Sequence, residues 1–359
     1  MVKLFPDTNM HHIQQLFFTS LLSLFLYPAS LAAQKSAPFR VMFWNVENLF
    51  DTQHDSLKND TEFLPDALRH WNYHRYKKKL ANVARVITAV GEWTPPALVG
   101  LCEVENDHVL RDLTRYSPLK EQGYRYVMTN SADERGIDVA LLYQRDRFKL
   151  LSANSLSPGL PTPQSRPTRD ILHVSGQLLT GDTLDVLVTH LPSRSGGEKQ
   201  SEPYRIFVAR KLKTVADSLI NIRRHPQLVI MGDFNDYPTN RSVTEVLKAT
   251  PPTPRPEPDK LYHLLARKAL SPNFGSYKYR GEWGLLDHLI VSGTLLNPKE
   301  NLFTSEDKAH VARLPFLLTK DEKYGDVQPF RTYVGMKYQE GYSDHLPVYV
   351  DFLLTQSEY

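Results

Sequence analysis

The sequence is poor in cysteine. Its 359 residues include one, Cys102, so no disulfide can form within the chain. Cys102 ends an apolar stretch at residues 99–102, which is typical of a small thiol buried in a core. A chain of this length does not need disulfides to stabilise its fold, so their absence is compatible with export.

The sequence also lacks a large charge excess. The formal net charge is +3, and no stretch rich in lysine and arginine has interleaved aromatic residues. The strongly basic footprint of a dedicated nucleic-acid binder is therefore missing, although the mildly basic balance permits a polyanionic partner.

Long hydrophobic runs are absent as well. The apolar stretch at residues 16–27 is shorter than the roughly 20 residues that a membrane span requires, and small residues follow it. This layout predicts a secretory signal peptide over residues 1–33, cleaved after Ala32 or Ala33. The mature chain would be secreted or periplasmic, without stable membrane insertion. A membrane anchor or a buried helix is the alternative, and Met10 could be the true start.

After residue 34, apolar strand-like runs alternate with amphipathic segments. Several runs are continuous, which predicts strands buried on both faces. Apolar residues recur at helical spacing after Tyr76 and after Ile206, the second behind a helix start predicted at Glu202-Pro203. The predicted strands are residues 41–44, 97–101, 137–143, 184–189, 228–231, 285–291 and 347–354.

Proline-rich stretches at residues 158–167 and 251–258 resemble linkers. Polar strand-end motifs lie on both sides of each stretch, however, and a flexible linker cannot divide one shared site. We therefore predict surface loops within a single domain over residues 36–354. Residues 324–342, rich in glycine and tyrosine, are predicted to form a further loop bordering the site.

Short polar clusters end or follow several predicted strands. Because ligand sites in α/β sheets form where strand ends meet loops, the clusters predict one polar site built from distant segments. Their carboxylates and amides suit a hard cation such as Mg²⁺, and leave the histidines free for proton transfer. The clusters are Asn45-Val46-Glu47, Glu103-Val104-Glu105, Asp138, Thr189-His190, Gly232-Asp233-Phe234-Asn235 and Ser343-Asp344-His345.

Some roles can be proposed from the residues alone. In extended chain Asp233 and Asn235 would share a face, where Asp233 could hold a metal or orient water and Asn235 could contact a phosphoryl oxygen. A turn after a strand is the alternative. His190 could donate to a phosphoryl oxygen or protonate a leaving group, or could simply be hydrogen-bonded at the surface. Asp138 interrupts an apolar run, so a buried carboxylate with a partner is expected there.

Arginines near these motifs could clamp a phosphate with both guanidinium nitrogens. The candidates are Arg194, Arg166 and Arg169, and a solvated charge is the alternative for each.

The motifs, taken with Leu286-Asp287-His288, occur in the order typical of the endonuclease/exonuclease/phosphatase superfamily, the DNase I-like hydrolases. The chain resembles that superfamily from about Val41 to Asp351. The resemblance implies a four-layer α/β/β/α sandwich of two packed mixed β-sheets flanked by helices.

The resemblance also implies roles for individual residues. Glu103 would be the principal metal ligand, with Asn45 and Asp344 beside it and Glu105 outside the ligand set. Asn45 would also contact the substrate. His345 would be the general base that activates water, oriented by Asp287, while Asp233, Asn235 and His190 would belong to the catalytic centre. Asp138 would face the phosphate or water.

The resulting hypothesis is a monomeric, Mg²⁺-dependent phosphodiester hydrolase, with Mn²⁺ or Ca²⁺ as possible replacements. Its expected substrate is nucleic acid, DNA before RNA, cleaved by in-line attack of an activated water. One alternative is a phosphomonoester, phospholipid or inositol phosphate hydrolase of the same superfamily. The other is a binding module that has lost activity.

Overall fold

The computed structural model describes residues 38–162 and 165–355, together with Met1. Residues Pro38–Tyr359 form one compact unit. The predicted signal peptide and its cleavage point lie outside the described residues, so they stay predictions. No helix in the described part of the chain combines the length and apolar character needed to cross a membrane.

Strands dominate the part of the chain that the structure describes, and three α-helices within that part cover them. The helices are α1 (Tyr73–Gly91), α2 (Asp107–Tyr116) and α3 (Glu198–Ile222). The strands are β1 (Phe39–Leu49), β2 (Leu98–Val104), β3 (Arg125–Met128), β4 (Asp138–Tyr143), β5 (Phe148–Leu156), β6 (Ile171–Leu178), β7 (Thr183–His190), β8 (Gln227–Asp233), β9 (Leu261–His263), β10 (Tyr277–Tyr279), β11 (Glu282–Gly284), β12 (Asp287–Ser292), β13 (Leu302–Phe303), β14 (Ala309–Val311), β15 (Leu318–Lys320), β16 (Val327–Pro329), β17 (Tyr333–Val334), β18 (Lys337–Tyr338) and β19 (Val348–Leu354).

The strands form two large mixed sheets. The first has the order β13-β19-β1-β2-β4-β3, with β14 beside β19, and the second has the order β5-β6-β7-β8-β12-β9. Within the first sheet β1 runs parallel to β2, and within the second β7 runs parallel to β8. Their other pairings are antiparallel.

Alternation along the strands buries both faces of each sheet. In β1, Val41 and Phe43 pack between the sheets, whereas Met42 and Trp44 pack against α1 and α2. On the far side, α3 covers the outer face of the second sheet through apolar residues such as Leu212. The layers are therefore α/β/β/α, as the resemblance implied.

All seven predicted strands occur with shifted ends, but two other predictions were wrong. Helix α3 begins at Glu198, not at Glu202-Pro203, because the N–H of Ser201 already donates to the carbonyl of Gly197. Residues 324–342 are not one loop, since they carry strands of the hairpins β15–β16 and β17–β18. The second hairpin turns at Gly335, whose φ of 58° suits glycine.

Candidate active site

Three strands of the second sheet bring the predicted catalytic side chains to one edge. His190 ends β7 and pairs with Asp233, which ends the parallel strand β8. Asp287 begins β12 and lies opposite Asp233 across the antiparallel pairing. A β-carbon on Gly232 would come within 2.2 Å of the carbonyl oxygen of Thr189, so a larger residue there would force β7 and β8 apart.

The first sheet supplies two further side chains. The Nδ2 of Asn45, on β1, donates to Oδ2 of Asp233 at 3.0 Å. Nδ1 of His345, which precedes β19, lies 2.7 Å from Oδ2 of Asp287. These contacts join the two sheets, and we call the five residues Asn45, His190, Asp233, Asp287 and His345 the catalytic floor.

The orientation of His345 is fixed by its backbone as well as its ring. The indole of Trp44 donates to the carbonyl of His345 at 2.9 Å, and the N–H of His345 donates to the Ser343 hydroxyl at 3.0 Å. With Nδ1 engaged by Asp287, Nε2 lies 3.8 Å from the Asp233 carboxylate. The free ring nitrogen therefore faces the centre of the floor.

The floor also separates the proton affinities of its groups. Burial raises the pKa of Asp233 to about 7, the charge of Asp287 adds to the rise, and the attraction of His345 opposes it. Burial lowers the pKa of His345, but attraction to Asp287 and Asp233 outweighs it and holds this pKa well above its ordinary value. Burial, with repulsion from Arg169 and Arg135, holds the pKa of His190 well below its ordinary value. Imidazoles with opposite shifts suit different roles in proton transfer.

Asn235 does not share an extended face with Asp233, so that sequence prediction was wrong. β8 ends at Asp233, and Asn235 has a left-handed φ of 50°. Its N–H donates to Oδ1 of Asp233 at 2.9 Å, and its side-chain Nδ2 donates to the carbonyl of Leu191 at 3.1 Å. The turn keeps Asn235 next to Asp233 by a different geometry.

Glu103 occupies a bulge at the end of β2. Its φ is 62°, and the register of β2 with β4 shifts between Cys102 and Val104. The bulge interrupts the regular extended geometry that would otherwise place Glu103 and Glu105 on one face of β2. Oε2 of Glu105 instead accepts from the N–H of Asp51, and burial raises the pKa of Glu105 to about 8.

Two arginines that the sequence reasoning missed hold predicted metal ligands. Oε2 of Glu103 accepts from the N–H of Asn48 at 3.0 Å and lies 3.7 Å from Nη2 of Arg135. Arg331 donates to Asp344 at 2.9 Å and to Glu47 at 3.3 Å. Gly136, which follows Arg135 just before β4, is the one sequence feature that could have indicated the position of Arg135 near the site. No sequence motif marks Arg331.

Tyr277 was also missed. Its ring lies 4.9 Å from the ring of His345, and the two residues form an isolated bridge between backbones. Burial raises the pKa of Tyr277 to about 12. Tyr277 thus packs on one face of the predicted general base.

The remaining predicted residues lie around the floor. Asp138 is buried and accepts from the Thr129 hydroxyl at 2.5 Å and from the N–H of Ser131 at 2.9 Å. Arg194 donates to the carbonyl of Asn235 at 2.7 Å. Arg166 is largely exposed, with Glu134 at 3.8 Å.

Arg169 is buried, and its guanidinium is already engaged. It donates to the Leu191 carbonyl at 2.6 Å and lies 3.3 Å from Asp133. These contacts hold the chain that follows His190 in place. Binding of a phosphate by two guanidinium nitrogens of Arg169 would compete with them.

The donor set at this edge fits a hard divalent cation. Glu103 and Asp344 offer carboxylates, and Asn45 offers an amide. The tightest buried clusters in the described part of the chain are different ones, Asp233–Asp287–His345 and Cys102–His190–Asp233, with ligand atoms within 4.8 Å of one another. Because Asp287 already engages the ring of His345, we interpret the first cluster as a proton-transfer group.

Comparison with known proteins gives one family and several solved structures with a similar fold. A family model described as Endonuclease/Exonuclease/phosphatase family matches residues 40–353. No curated protein matches the chain.

Three solved structures illustrate the likeness in fold. Human Nocturnin, its catalytic domain with bound sulfate, is 18% identical, with a TM-score of 0.50 over 89% of this chain and 95% of that chain. A mannosyl-6-phosphatase from Bacteroides thetaiotaomicron is 15% identical, with a TM-score of 0.54 over 88% and 100%. D. rerio TDP2 with a single-strand DNA product is 15% identical, with a TM-score of 0.52 over 88% and 99%.

Proposed function

The chain belongs to the endonuclease/exonuclease/phosphatase family and is a metal-dependent phosphoester hydrolase, and we propose that the esters it hydrolyses are phosphodiesters. The observation that supports hydrolysis is the catalytic floor, and the choice of diesters rests on the arginines around it. Side chains from both sheets meet in the floor, with a buried imidazole–carboxylate pair 2.7 Å apart at the centre.

In the proposed reaction the neutral form of His345 removes a proton from the attacking water through Nε2, and its raised pKa makes it the stronger base of the two imidazoles. Asp287 holds the ring and stabilises the imidazolium that forms. Asp233, at 3.8 Å from Nε2, orients the same water. Asn45, Asn235 and His190 contact the phosphoryl oxygens, and a neutral His190 can donate to one of them. Phosphoryl transfer leaves the protein mainly this positioning and charge stabilisation to supply.

Glu103, Asp344 and Asn45 would hold the metal ion, which we propose to be Mg²⁺, with Mn²⁺ or Ca²⁺ as replacements. When bound, a divalent cation neutralises charge that develops on the phosphoryl oxygens. Asn48 and Arg135 keep the Glu103 carboxylate in place, and Arg331 does the same for Asp344.

A diester is favoured by the distribution of charge around the floor. Arginines approach it from separate segments: the loop before β4, the loop after β7 and the segment before β17. Cations spread in this way suit a substrate with negative charge along its length, such as DNA or RNA. The similar structure of TDP2 contains single-strand DNA product, which is consistent with this substrate. The similar mannosyl-6-phosphatase keeps a phosphomonoester as the second candidate.

We also propose that the mature chain is exported, on the basis of residues 16–33 alone. N-terminal sequencing of protein from its native cells should begin near Ala33 or Gln34. Recovery of a cytoplasmic chain that starts at Met1 would contradict export.

The proposed activity is tested with purified protein and Mg²⁺ on five substrates: plasmid DNA, RNA, bis-p-nitrophenyl phosphate, p-nitrophenyl phosphate and a lipid phosphodiester. We expect the diesters to be hydrolysed faster than the monoester, with DNA the best substrate. Faster hydrolysis of p-nitrophenyl phosphate would establish the monoester alternative. No hydrolysis of any ester would support the binding module.

A further inference from the structure

A cleft of about 590 Å³ opens between residues 133–135, which lead into β4, and the chain that follows His190. Its walls come from the loop before β4, from Pro161 and residues 165–169, and from the segment from Pro192 into α3. Ligand pockets for small organic groups occupy about 300–1,000 Å³, so the cleft is large enough for more than a phosphate. We call it the side cleft.

The side cleft connects with the catalytic centre at two points. Arg135 lines it and also lies 3.7 Å from Glu103. Pro192 and Ser193 line it just after His190 in sequence. A group bound in the side cleft would therefore be attached close to the scissile phosphate.

Each arginine that lines the side cleft has an acidic neighbour. Arg169 lies 3.3 Å from Asp133, Arg166 lies 3.8 Å from Glu134, and Arg135 lies 3.7 Å from Glu103, which makes Arg135 the one next to the proposed metal site. Arg135 donates to the amide oxygen of Asn48 at 2.7 Å, and its side chain is 47% exposed. A guanidinium that is half exposed and bonded to a neutral amide can add a phosphate oxygen as acceptor.

The rest of the wall offers an aromatic surface and neutral hydrogen-bonding groups. Tyr204 on α3 is 45% exposed although it lines the cleft, so its ring has area available for stacking. Exposed Ser193, Ser195 and Gln200 carry hydroxyl or amide groups that suit the hydroxyls of a sugar. A cation, a sugar-binding wall and a free aromatic ring correspond to the three parts of a nucleotide.

We propose that the side cleft binds one nucleotide unit of the substrate, the unit on one side of the scissile phosphate. Tyr204 stacks on its base, and Arg135 binds an oxygen of a phosphate attached to it. This inference rests on the proposed phosphodiesterase activity and adds a specificity for nucleotides. It predicts that recognition is one-sided, because the side cleft adjoins the floor at one flank.

The test compares chromogenic diesters that share the p-nitrophenolate leaving group. The substrates are methyl p-nitrophenyl phosphate, thymidine 5′-(p-nitrophenyl phosphate), thymidine 3′-(p-nitrophenyl phosphate) and a p-nitrophenyl diester of a sugar phosphate without a base. For wild type we expect kcat/KM at least about tenfold higher for one thymidine ester than for the methyl and sugar esters. Equal values for the sugar and thymidine esters would overturn the nucleotide assignment.

Two variants locate the preference. Tyr204→Ala should reduce the ratio of the preferred thymidine ester to the methyl ester at least about fivefold, the low end of what base–aromatic stacking contributes. Arg135→Ala should slow the cleavage of a thymidine dinucleotide. The loss should be larger for a dinucleotide that carries an additional terminal phosphate on the nucleotide bound in the side cleft, because Arg135 binds that phosphate. Arg135→Lys should recover only part of that loss, since it restores the charge without the planar fork.

Controls come from residues far from the site. The control residues are Tyr116, an exposed tyrosine at the end of α2, and Arg145, just after β4. Alanine at either position should change neither the preference for the thymidine ester over the methyl ester nor the effect of the additional terminal phosphate. A ratio unchanged in Tyr204→Ala would overturn the side-cleft assignment while the diesterase remains active. Failure of wild type on every diester would instead overturn the proposed function.

Discussion

The catalytic floor and the arginines around it are held in place differently. Each floor residue is at most 6% exposed, and each contacts another floor residue. Arg135 and Arg331 have side chains that are 47% and 41% exposed, and their partners lie in loops and strand ends. The floor is set by the register of β7, β8 and β12 together with β1, whereas the arginines depend on longer connections.

This difference separates chemistry from recognition. Groups that move protons or orient water need fixed distances, which paired strands supply. Groups that choose a substrate can vary with the loops that carry them. Changes in the floor should therefore abolish turnover, whereas changes around it should alter substrate preference or stability.

Removal of divalent cations should have the largest effect on the floor. Exhaustive chelation with EDTA should abolish hydrolysis of bis-p-nitrophenyl phosphate, because the floor alone does not neutralise the developing charge. Added Mg²⁺ or Mn²⁺ should restore activity. Circular dichroism spectra recorded before and after chelation should coincide. Full activity in the chelated protein would refute the assignment of a metal to this site.

Single substitutions in the floor and at Glu103 come next. His345→Ala, His190→Ala, Asp233→Asn and Glu103→Gln should each lower kcat by at least about 10², since general acid–base groups contribute 10² to 10⁴. His225→Ala is the matched control, because His225 is exposed and precedes β8 at the end opposite Asp233. Wild-type rates in His345→Ala would be incompatible with its role as base.

Loss of the buried Lys79 should act on the segment that carries Arg331. Its ammonium donates to the Thr332 hydroxyl at 2.6 Å and to the Tyr342 carbonyl at 2.5 Å. Burial lowers its pKa to about 8. We expect Lys79→Met to reduce the free energy of unfolding by about 2–4 kcal/mol, as two charged hydrogen bonds are lost.

The neighbouring Lys78 gives the control for this change. Lys78 pairs with Glu340 at the surface, where such pairs contribute about 0–1 kcal/mol. Urea unfolding of Lys78→Met should match wild type closely. An equally small effect of Lys79→Met would show that the segment is held by its apolar contacts instead.

The smallest predicted effect concerns a buried imidazole behind the floor. His288 stacks on Phe234 and contacts His263, and burial lowers its pKa to about 3. The folded state therefore binds fewer protons than the unfolded state below about pH 6.5, so stability is retained above that pH and lost towards pH 3.

His288→Gln removes this titration but retains a side-chain donor for the Leu285 carbonyl. The stability deficit of the variant relative to wild type should shrink by about 1 kcal/mol between pH 6.5 and 5.5. Urea unfolding at the two pH values measures the change. A deficit that is constant with pH would contradict a neutral, buried His288.

Much of the fold and the floor could be predicted because both follow from local patterns. Continuous apolar runs indicated the buried strands, and the polar residue at the end of each run indicated the shared edge. The ordered motifs supplied the family. The pairing of His345 with Asp287 was expected from the resemblance, and the structure places them in hydrogen-bonding contact.

The errors arise where backbone geometry departs from an ideal strand. A period of two residues misplaced Asn235, because Asn235 has a left-handed φ just after β8 ends. Arg331 could not be predicted, since it reaches Asp344 and Glu47 only after the hairpins of residues 318–338 fold against α1. Arg169, one of the candidate phosphate ligands, is engaged by the Leu191 carbonyl and Asp133, contacts that no local pattern in the sequence indicates.

The most direct test of the account is a double-mutant cycle on the general base and its partner. The kcat for bis-p-nitrophenyl phosphate with Mg²⁺ is measured for wild type, His345→Ala, Asp287→Asn and the double variant, after circular dichroism confirms that each is folded. Because the two side chains act as one unit, the double variant should be little slower than His345→Ala alone. Losses that multiply in the double variant would contradict the proposal that Asp287 acts through His345.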